Sequence, residues 1–538
     1  MTKRPEINFN PYKGRWVAIV KDRVAGVGNR AAQAYRAAKT VRPKDRPQLY
    51  FVDRSGRSHQ QPNDFRPWQK HAHLKKIAEL LQTADQEAYL VGGAVRDGLL
   101  GKLNDQADLD LVVPADGLAV AKLLADKLGG AYYPVDPQRG VGRVVWPDRP
   151  QVDVAIYRGT SLEEDLYLRD FTINAIALSL DLANPRLIDP LAGQDDLQKG
   201  QIKALNREAF QDDPLRTVRA VRLAAQFGFV LTADTQSWIT AYTTALAAVS
   251  AERLRDEIHK LLVGPRAGQG VAQLEALGLL AIILPQAEAM VGMAQSPPHH
   301  LSVFDHTLNV LDRVTWLDFE LERLAFLDPV KKQLQDYFQT NLSGNLTRIS
   351  LMPLAALLHD IGKPETFKQG SDGRIRFWQH PQVGADITDH WLSRLRFSGQ
   401  ARQFVVTIVR HHMRPLLLAY QKTVSRRSIH RFLEATGQAA PAIAIFSLLD
   451  HLGIYPPGQG QAEWDRLTEV VLRVCQTYFI PQPSPLLTGR DVISHLNLEP
   501  GPIVGQILAR LKEAQAVGEI VSRQEALDFI STLNVDRG

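Results

Sequence analysis

The stretch LVGGAVRDGLLGKLNDQADLDLVV, residues 90–113, constrains the fold more than any other part of this chain. An apolar run enters a Gly-Gly turn, the turn opens a helix start carrying Arg96, and a second apolar run alternates with Asp108 and Asp110. That order reads as strand, turn, helix, strand, and so requires a mixed α/β layer. Side chains two apart on a strand share one face, which points both carboxylates the same way. Gly92 and Gly93 let a phosphate approach the backbone closely, and Arg96 can meet its charge. A phosphate-accepting turn beside paired carboxylates is the equipment of metal-assisted phosphoryl or nucleotidyl transfer.

At 538 residues the chain is too long for one core, and three or four domains are expected. Its 45 % hydrophobic and 22 % charged residues fit a soluble globular protein. No apolar run approaches the ~18 residues of a membrane helix, and the start MTKRPEINFN has no apolar core for export. Cys475 is the single cysteine, which excludes internal disulfides and thiolate zinc clusters and fits a reducing cytoplasm. Charge is unevenly spread: residues 1–70 hold sixteen Lys and Arg against five Asp and Glu, and the remainder is mildly acidic. A basic first segment on an acidic body reads as a contact for a polyanion such as nucleic acid.

The patterning divides the chain into five segments. Residues 1–60 form a small, independent basic unit of strands around the Ala-rich helix candidate AAQAYRAAKTV, and RSGRSHQQPNDFRP is a polar linker. A helix from about Lys70 to Leu81 opens a mixed α/β segment, 61–205, that carries the carboxylates. From Glu208 the spacing of three and four in VRAVRLAAQF and AERLRDEIHKLL makes 206–295 helical. Residues 296–460 are a His-rich helical block, and 480–538 a small helical tail after a Pro-rich break.

Further polar groups flank the carboxylates. Arg169, Asp170 and Asn174, one and four apart at what reads as a helix start, can converge on a ribose and a triphosphate. Asp213 and Arg216, three apart, follow with Pro214 favouring a helix N-terminus. In the His-rich block stand His306, the doublet His359-Asp360, His380, the pair His411-His412, and Asp450. His and Asp at long spacings on helices can build a metal site inside a bundle.

LVGGAVRDGLLG with DLD, then RDFTINAIAL, LIDPLAGQDDL and DDPLRTVRAVRLAAQFGF, in that order across about 86–262, resemble the class II tRNA nucleotidyltransferase and bacterial poly(A) polymerase family. LAALLHDIGKPE within 299–451 resembles the HD phosphohydrolase superfamily. The resemblance implies a head of the DNA polymerase beta superfamily fold, then a helical neck, a helical HD domain and a helical tail. Asp108 and Asp110 would be catalytic and hold Mg²⁺ or Mn²⁺. Gly92, Gly93, Arg96, Arg169, Asp170 and Asn174 would bind the triphosphate and ribose, with Arg219 and Arg222 counted in the nucleotide set. Asp213 and Arg216 would read the base. The chemistry agrees: cytosine and adenine both offer an amino donor beside a ring-nitrogen acceptor, matching a carboxylate and a guanidinium. Guanine and uracil mismatch both groups, at about 1–3 kcal/mol for each bad pairing.

The same resemblance makes His306, His359, Asp360 and Asp450 ligands of a divalent metal of unspecified identity in the HD domain. His380 with His412, or His411, would serve a second. The implied activity is addition of C, A or both to tRNA 3′ ends from CTP and ATP, with hydrolysis of phosphomonoesters or cyclic phosphodiesters at the HD site. Two departures stand out. Leu168 replaces a family arginine, and only GTSL separates QVDVAIYR from EEDL, a short connection resembling CC-adding members. Asp153, on the neighbouring strand, can be a third acidic group, although an ordinary strand aspartate is the better reading. The rival readings are CC or A addition alone, poly(A) synthesis, an HD hydrolase with a non-catalytic RNA-binding head, and an RNA-binding protein with both sites silent.

Overall fold

The computed structural model describes residues 7–52, 56, 58–62, 64–456, 458–481 and 484–533. The chain divides into two compact units, Met1–Ala245 and Leu246–Gly538, so the boundary falls inside the segment expected as a neck.

The first unit begins with a four-stranded antiparallel sheet. Trp16–Val20 sits between Arg23–Gly28 and Gln48–Val52, and Ser58–Gln61 pairs on the outer side of Gln48–Val52. The helix Ala31–Val41 lies against Arg23–Gly28 with almost no gap. A Cβ at Gly26 would fall 2.3 Å from the Ala34 carbonyl oxygen, and one at Gly28 2.6 Å from the Gln33 Cβ. Alanines on the helix and glycines on the strand are what permit that approach.

The polar stretch read as a linker contains a strand, Ser58–Gln61, and the N-terminal sheet is not independent. SHQQ has little strand propensity, but its alternate side chains are buried and spend their polar groups on the next sheet. The Gln61 amide donates to the Leu187 carbonyl at 2.7 Å and accepts from the Leu187 N–H at 2.7 Å. His59 Nδ1 accepts from the Asp189 N–H at 3.2 Å, and Gln194 donates to the Gln60 carbonyl at 2.7 Å.

Next along the chain is a seven-stranded sheet, in the order Leu187–Ile188, Ala177–Ser179, Tyr89–Val91, Leu109–Val113, Val152–Ile156, Val141–Val145, Ala131–Asp136. Only Leu109–Val113 and Val152–Ile156 run parallel. On Leu109–Val113 the residues Leu109, Leu111, Val112 and Val113 are buried, whereas Asp110 is open. Val112, on the same face as Asp110, packs with Leu162 and Leu166 of the helix Leu162–Tyr167. The carboxylates therefore stand where the helical cover of that face ends. The segment expected as a helix start at Arg169 is instead a single 3₁₀ turn, Thr172–Asn174, leading into a strand. Phe171, Ile173, Ala175 and Ile176 are all buried, a run too densely apolar for a one-sided helix.

Gly98, on the helix Gly93–Leu99, faces Trp68, whose indole N–H donates to the Ala94 carbonyl at 3.1 Å. A Cβ there would lie 2.3–2.5 Å from indole atoms. Gly98→Ala is expected to cost about 1–3 kcal/mol through overpacking. A lower first transition in thermal unfolding checks this, and an unchanged transition would contradict the packing described.

The second unit is mainly helical. Val303–Thr315, Arg348–Leu358, His380–Arg394, Gly399–His411 and Ala440–Ile454 enclose its largest core. The block expected to be helical throughout also holds two hairpins, Asn341–Ser343 with Leu346–Thr347 and Phe367–Gln369 with Ile375–Phe377. Among the described residues one helical stretch, Arg426–Ile454, is long and apolar enough on average to cross a membrane; 72 % of its apolar window is buried inside the unit, as in a core helix. Three tail helices, Gly489–Leu496, Pro502–Ala516 and Arg523–Thr532, share a separate core around Val492, Ile507, Leu511 and Ile530.

Candidate functional site

In the first unit, Gly92 has φ +71°, a left-handed conformation that favours glycine. A Cβ on it would sit 3.4 Å from Asp110 Oδ2 and 3.7 Å from Arg169 Nη1. The Gly-Gly turn, the carboxylate strand and Arg169 therefore border one cleft. Asp108 immediately precedes the strand and is exposed, like Asp110. Asp153 is Asp110's register partner on the parallel strand, and Arg143 grips it with two bonds of 2.7 and 2.8 Å. Asp153 thus joins the carboxylate face rather than being an ordinary strand aspartate. Asp110 is open at the cleft mouth yet closely walled by protein. Lost hydration first, then the charges of Asp153 and Asp108, push its carboxyl up to about 6, against the pull of Arg169 and Arg143. Carboxylates crowded in this way are a donor set that a divalent cation relieves, so the residues fit Mg²⁺ or Mn²⁺.

Around the cleft the expected nucleotide-binding residues form one network. Arg96 is buried, stacks over Phe227 at 4.7 Å and donates to Asn174 Oδ1 at 2.8 Å. Asn174 donates to Asp170 Oδ1 at 3.0 Å, and Arg219 Nη1 donates to Asp170 Oδ2 at 3.4 Å. Burial alone would raise the Asp170 pKa, but Arg219, Asn174, Arg216 and the Phe171 N–H hold it below the usual carboxylate range. Arg169 is held by Asp165 at 2.8 Å, and Arg158 holds the other oxygen of the same carboxylate at 3.1 Å. Sequence reasoning passed over Asp165, because an acidic residue in the first turn of a helix is ordinary.

Pro214 caps the helix Leu215–Phe227, as its position after Asp213 suggests. Arg216 lies partly buried beneath the cleft. It donates to the carbonyls of Ala209 at 3.2 Å and of Arg169 and Leu168 at 3.4 Å each. The exposed Leu168 thus contributes its backbone, not its side chain. Asp213 Oδ1 accepts from the Leu215 N–H at 3.3 Å. Arg222 donates to Gln226 Oε1 on its own helix at 2.9 Å. The connection 157–161 is tied down, with Glu164 accepting from the Thr160 N–H and hydroxyl at 2.6 and 2.9 Å.

In the second unit, the imidazoles of His306, His359, His380 and His412 and the carboxylates of Asp360 and Asp450 converge, and all of these but His359 line a cavity of about 350 Å³. Each histidine places Nδ1 against a backbone carbonyl: His306 on Gly453 at 3.2 Å, His359 on Ala356 at 2.9 Å, His380 on Phe377 at 2.8 Å and His412 on Val409 at 2.8 Å. Nδ1–H donation there leaves Nε2 as a lone pair facing inward. His306 Nε2 is 2.9 Å from Asp450 Oδ1 and 3.4 Å from His359 Nε2. His380 and His412 Nε2 are 3.3 Å apart. Asp360 links the halves, with Oδ2 3.2 Å from His359 and Oδ1 3.4 Å from His380. Burial, then His380 and His359, push the His412 pKa down to about 3, so it is neutral at neutral pH.

Opposed nitrogen lone pairs in a buried site repel unless a cation lies between them. Two groups have ligand atoms all within 4.8 Å, His306–His359–Asp360 and Asp360–His380–His412, and both fit a divalent metal. Between the adjacent candidates, His412 joins the cluster and His411 does not. His299 lines the same cavity, its ring 5.6 Å from His306; no spacing signal marked it.

Comparisons with known proteins bear on both units. Residues 88–203 match the model of the poly A polymerase head domain, and 228–291 that of the probable RNA and SrmB-binding site of polymerase A. Residues 303–452 match the HD domain, and 389–530 the putative tRNA nucleotidyltransferase domain 2. An A-adding tRNA nucleotidyltransferase of Deinococcus radiodurans is 36 % identical over 82 % of this chain and 94 % of its own length. A CC-adding tRNA nucleotidyltransferase of Thermus thermophilus is 33 % identical over 83 % and 93 %. The solved structure of the Thermotoga maritima CCA-adding enzyme complexed with tRNA is similar in fold, with TM-score 0.53 at 18 % identity over 85 % of this chain and 94 % of that one.

Proposed function

Because this chain belongs to the tRNA nucleotidyltransferase family, we propose that its first unit adds C, A or both to the 3′ end of tRNA without a template. The observation that carries this reading is the cleft. A left-handed Gly92, the carboxylate face and the chain Arg96–Asn174–Asp170–Arg219 border one space. Asp108 and Asp110, with Asp153, would hold Mg²⁺ or Mn²⁺, which when bound supplies charge for activating the RNA 3′-hydroxyl and for the departing pyrophosphate.

The chain's own residues do the positioning. Gly92 and Gly93 admit the phosphates to the backbone, and Arg96 and Arg169 offer them charge from fixed positions. Asp170 and Asn174 orient the ribose, with Arg219 and Arg222 behind them. Asp213 and Arg216 select C and A by their hydrogen-bonding edges. Arg216 is preset for that task, because backbone carbonyls fix its guanidinium. We assign 61–205 to the head, 206–295 to the neck, 296–460 to the HD domain and 480–538 to the tail, with 1–60 as an added basic unit.

Two features favour a partial activity within this class. The connection 157–161 is short and tethered, and similar proteins include ones named A-adding and CC-adding tRNA nucleotidyltransferase. Extension assays settle product length: tRNA lacking CCA, tRNA ending in CC and complete tRNA, each with Mg²⁺ and CTP, ATP or both. We expect extension to stop at or before a complete CCA end. A full CCA on the shortest substrate means a complete enzyme, a stop after CC or action only on CC-ended tRNA means shared labour, and a long A tail means poly(A) synthesis. No extension at all overturns the transferase reading.

A second activity is favoured by the imidazole cluster. His306, His359, Asp360 and Asp450 would hold one divalent metal, and His380 and His412, sharing Asp360, a second; when bound, such metals supply a nucleophilic hydroxide at neutral pH. Lys363, 2.6 Å from Asp360 Oδ2 and part of the cavity lining, is placed to meet a substrate phosphate. The reading is a phosphohydrolase for phosphomonoesters or cyclic phosphodiesters.

A further inference from the structure

The N-terminal unit lies outside every family segment matched, the first of which begins at residue 88. Its described part, residues 7–52, carries ten Lys and Arg against Asp22 and Asp45. The strand register shows that the cations are not scattered. Val20 pairs with Arg23 to close the first hairpin, and Ile19 pairs with Gln48. The turn at residues 21–22 and the loop at 42–47 therefore stand at one end of the sheet. The ion pair Lys21–Asp45, 3.5 Å, joins them there.

Five exposed cations meet at that end: Lys21, Arg23, Arg42, Lys44 and Arg46. The loop that carries the last two is set by Lys39, whose ammonium donates to the carbonyls of Pro43 at 2.6 Å and Asp45 at 3.0 Å. Arg23, Arg42, Lys44 and Arg46 make no ion pair with a described residue. The five cations outnumber the two acids at that end, Asp22 and Asp45, and leave an excess of positive charge that suits a polyanion.

The patch is also fixed relative to the cleft. Gln61, the register partner of Leu49, binds Leu187 through two bonds of 2.7 Å at the same end of the small sheet. Leu187–Ile188 is the edge of the seven-stranded sheet, three strand spacings from Leu109–Val113. At ~4.8 Å per spacing, the docking edge is about 14 Å from the carboxylate strand. A nucleic acid whose end enters the cleft passes within reach of that edge.

We propose that Arg23, Arg42, Lys44 and Arg46 form a second RNA contact that grips the phosphate backbone of the tRNA body without reading its sequence. This rests on the reading of tRNA as the substrate. Such contacts position the nucleic acid and carry a large salt dependence. Deleting the segment is a poor test, because it strips the Leu187 and Asp189 backbone of its partners.

The test is a full-length variant combining Arg23→Gln, Arg42→Gln, Lys44→Gln and Arg46→Gln. A companion carries Arg23→Lys, Arg42→Lys and Arg46→Lys to keep the charge. Binding to tRNA lacking its last three nucleotides is measured by fluorescence anisotropy across a KCl series, alongside KM and kcat for extension. The neutralised variant should bind about tenfold or more weakly at ~0.1 M salt, with a log–log salt slope shallower by about 3–4, near one per cation removed. KM for tRNA should rise with kcat unchanged, and the charge-preserving companion should match the parent. An unchanged salt slope, or a companion as weak as the neutralised variant, overturns the proposal. Failure of the parent protein to extend any tRNA strikes the transferase reading instead, and the two failures are read from separate measurements.

Discussion

Asp110→Asn should reduce nucleotide addition on the order of 10³-fold or more in kcat/KM while leaving hydrolysis at the imidazole cluster unchanged. The substitution keeps the size of the side chain and removes only its charge and its capacity to hold a divalent cation. Asp110 faces Asp153 across the parallel ladder and is crowded by Asp108 as well. Its ionisation is already opposed, so neutralising it relieves repulsion in the metal-free protein. The unfolding temperature should therefore stay level or rise slightly as activity disappears. That combination separates lost chemistry from lost folding. Asp108→Asn should behave alike. Extension assays on tRNA and a thermal melt check both, and addition that survives either change removes these carboxylates from the chemistry.

What the sequence made legible were the groups whose spacing is local. The Gly-Gly turn, the alternating aspartates and the His359-Asp360 doublet each lie within a few residues of one another, so strand or helix periodicity alone places them. Groups that depend on register were not legible. Arg143 and Asp153 meet only because two antiparallel strands pair them. Asp165 looks like helix-start acidity until Arg158 and Arg169 are seen to close on it. Ser58–Gln61 was hidden for a different reason. Its residues disfavour strands, and the energy that holds them there comes from Gln61 and His59 bonding a sheet edge some 126–130 positions away. Adjacent histidines on a helix point about 100° apart, so choosing His412 over His411 required the packed bundle. The basic charge of the first segment was plain, but the gathering of its cations at one end required the hairpin register.

Asp360→Asn should abolish hydrolysis at the imidazole cluster and strip bound metal from the second unit while tRNA extension continues. Asp360 serves both ligand groups: Oδ2 faces His359 at 3.2 Å and Oδ1 faces His380 at 3.4 Å. No other described side chain belongs to both groups, so its loss disables each, and a fall in rate on the order of 10³-fold is expected. The side chain is also buried against Lys363 at 2.6 Å, and breaking a buried ion pair can cost about 3–5 kcal/mol. A folding defect in this variant would be ambiguous on its own. His412→Ala resolves it, because His412 is held neutral and its removal leaves no unpaired charge. It should lose the ligand group shared with His380 but keep His306, His359, Asp360 and Asp450, so metal per chain should fall by about half relative to the parent. His411→Ala, one residue away and outside the cluster, should leave metal content at the parent's level. Metal analysis of the purified proteins, with hydrolysis of a 2′,3′-cyclic nucleotide as the activity, gives the order parent equal to His411→Ala, above His412→Ala, above Asp360→Asn. Hydrolysis that persists in Asp360→Asn at the parent's rate would mean that the cluster is not the hydrolytic centre.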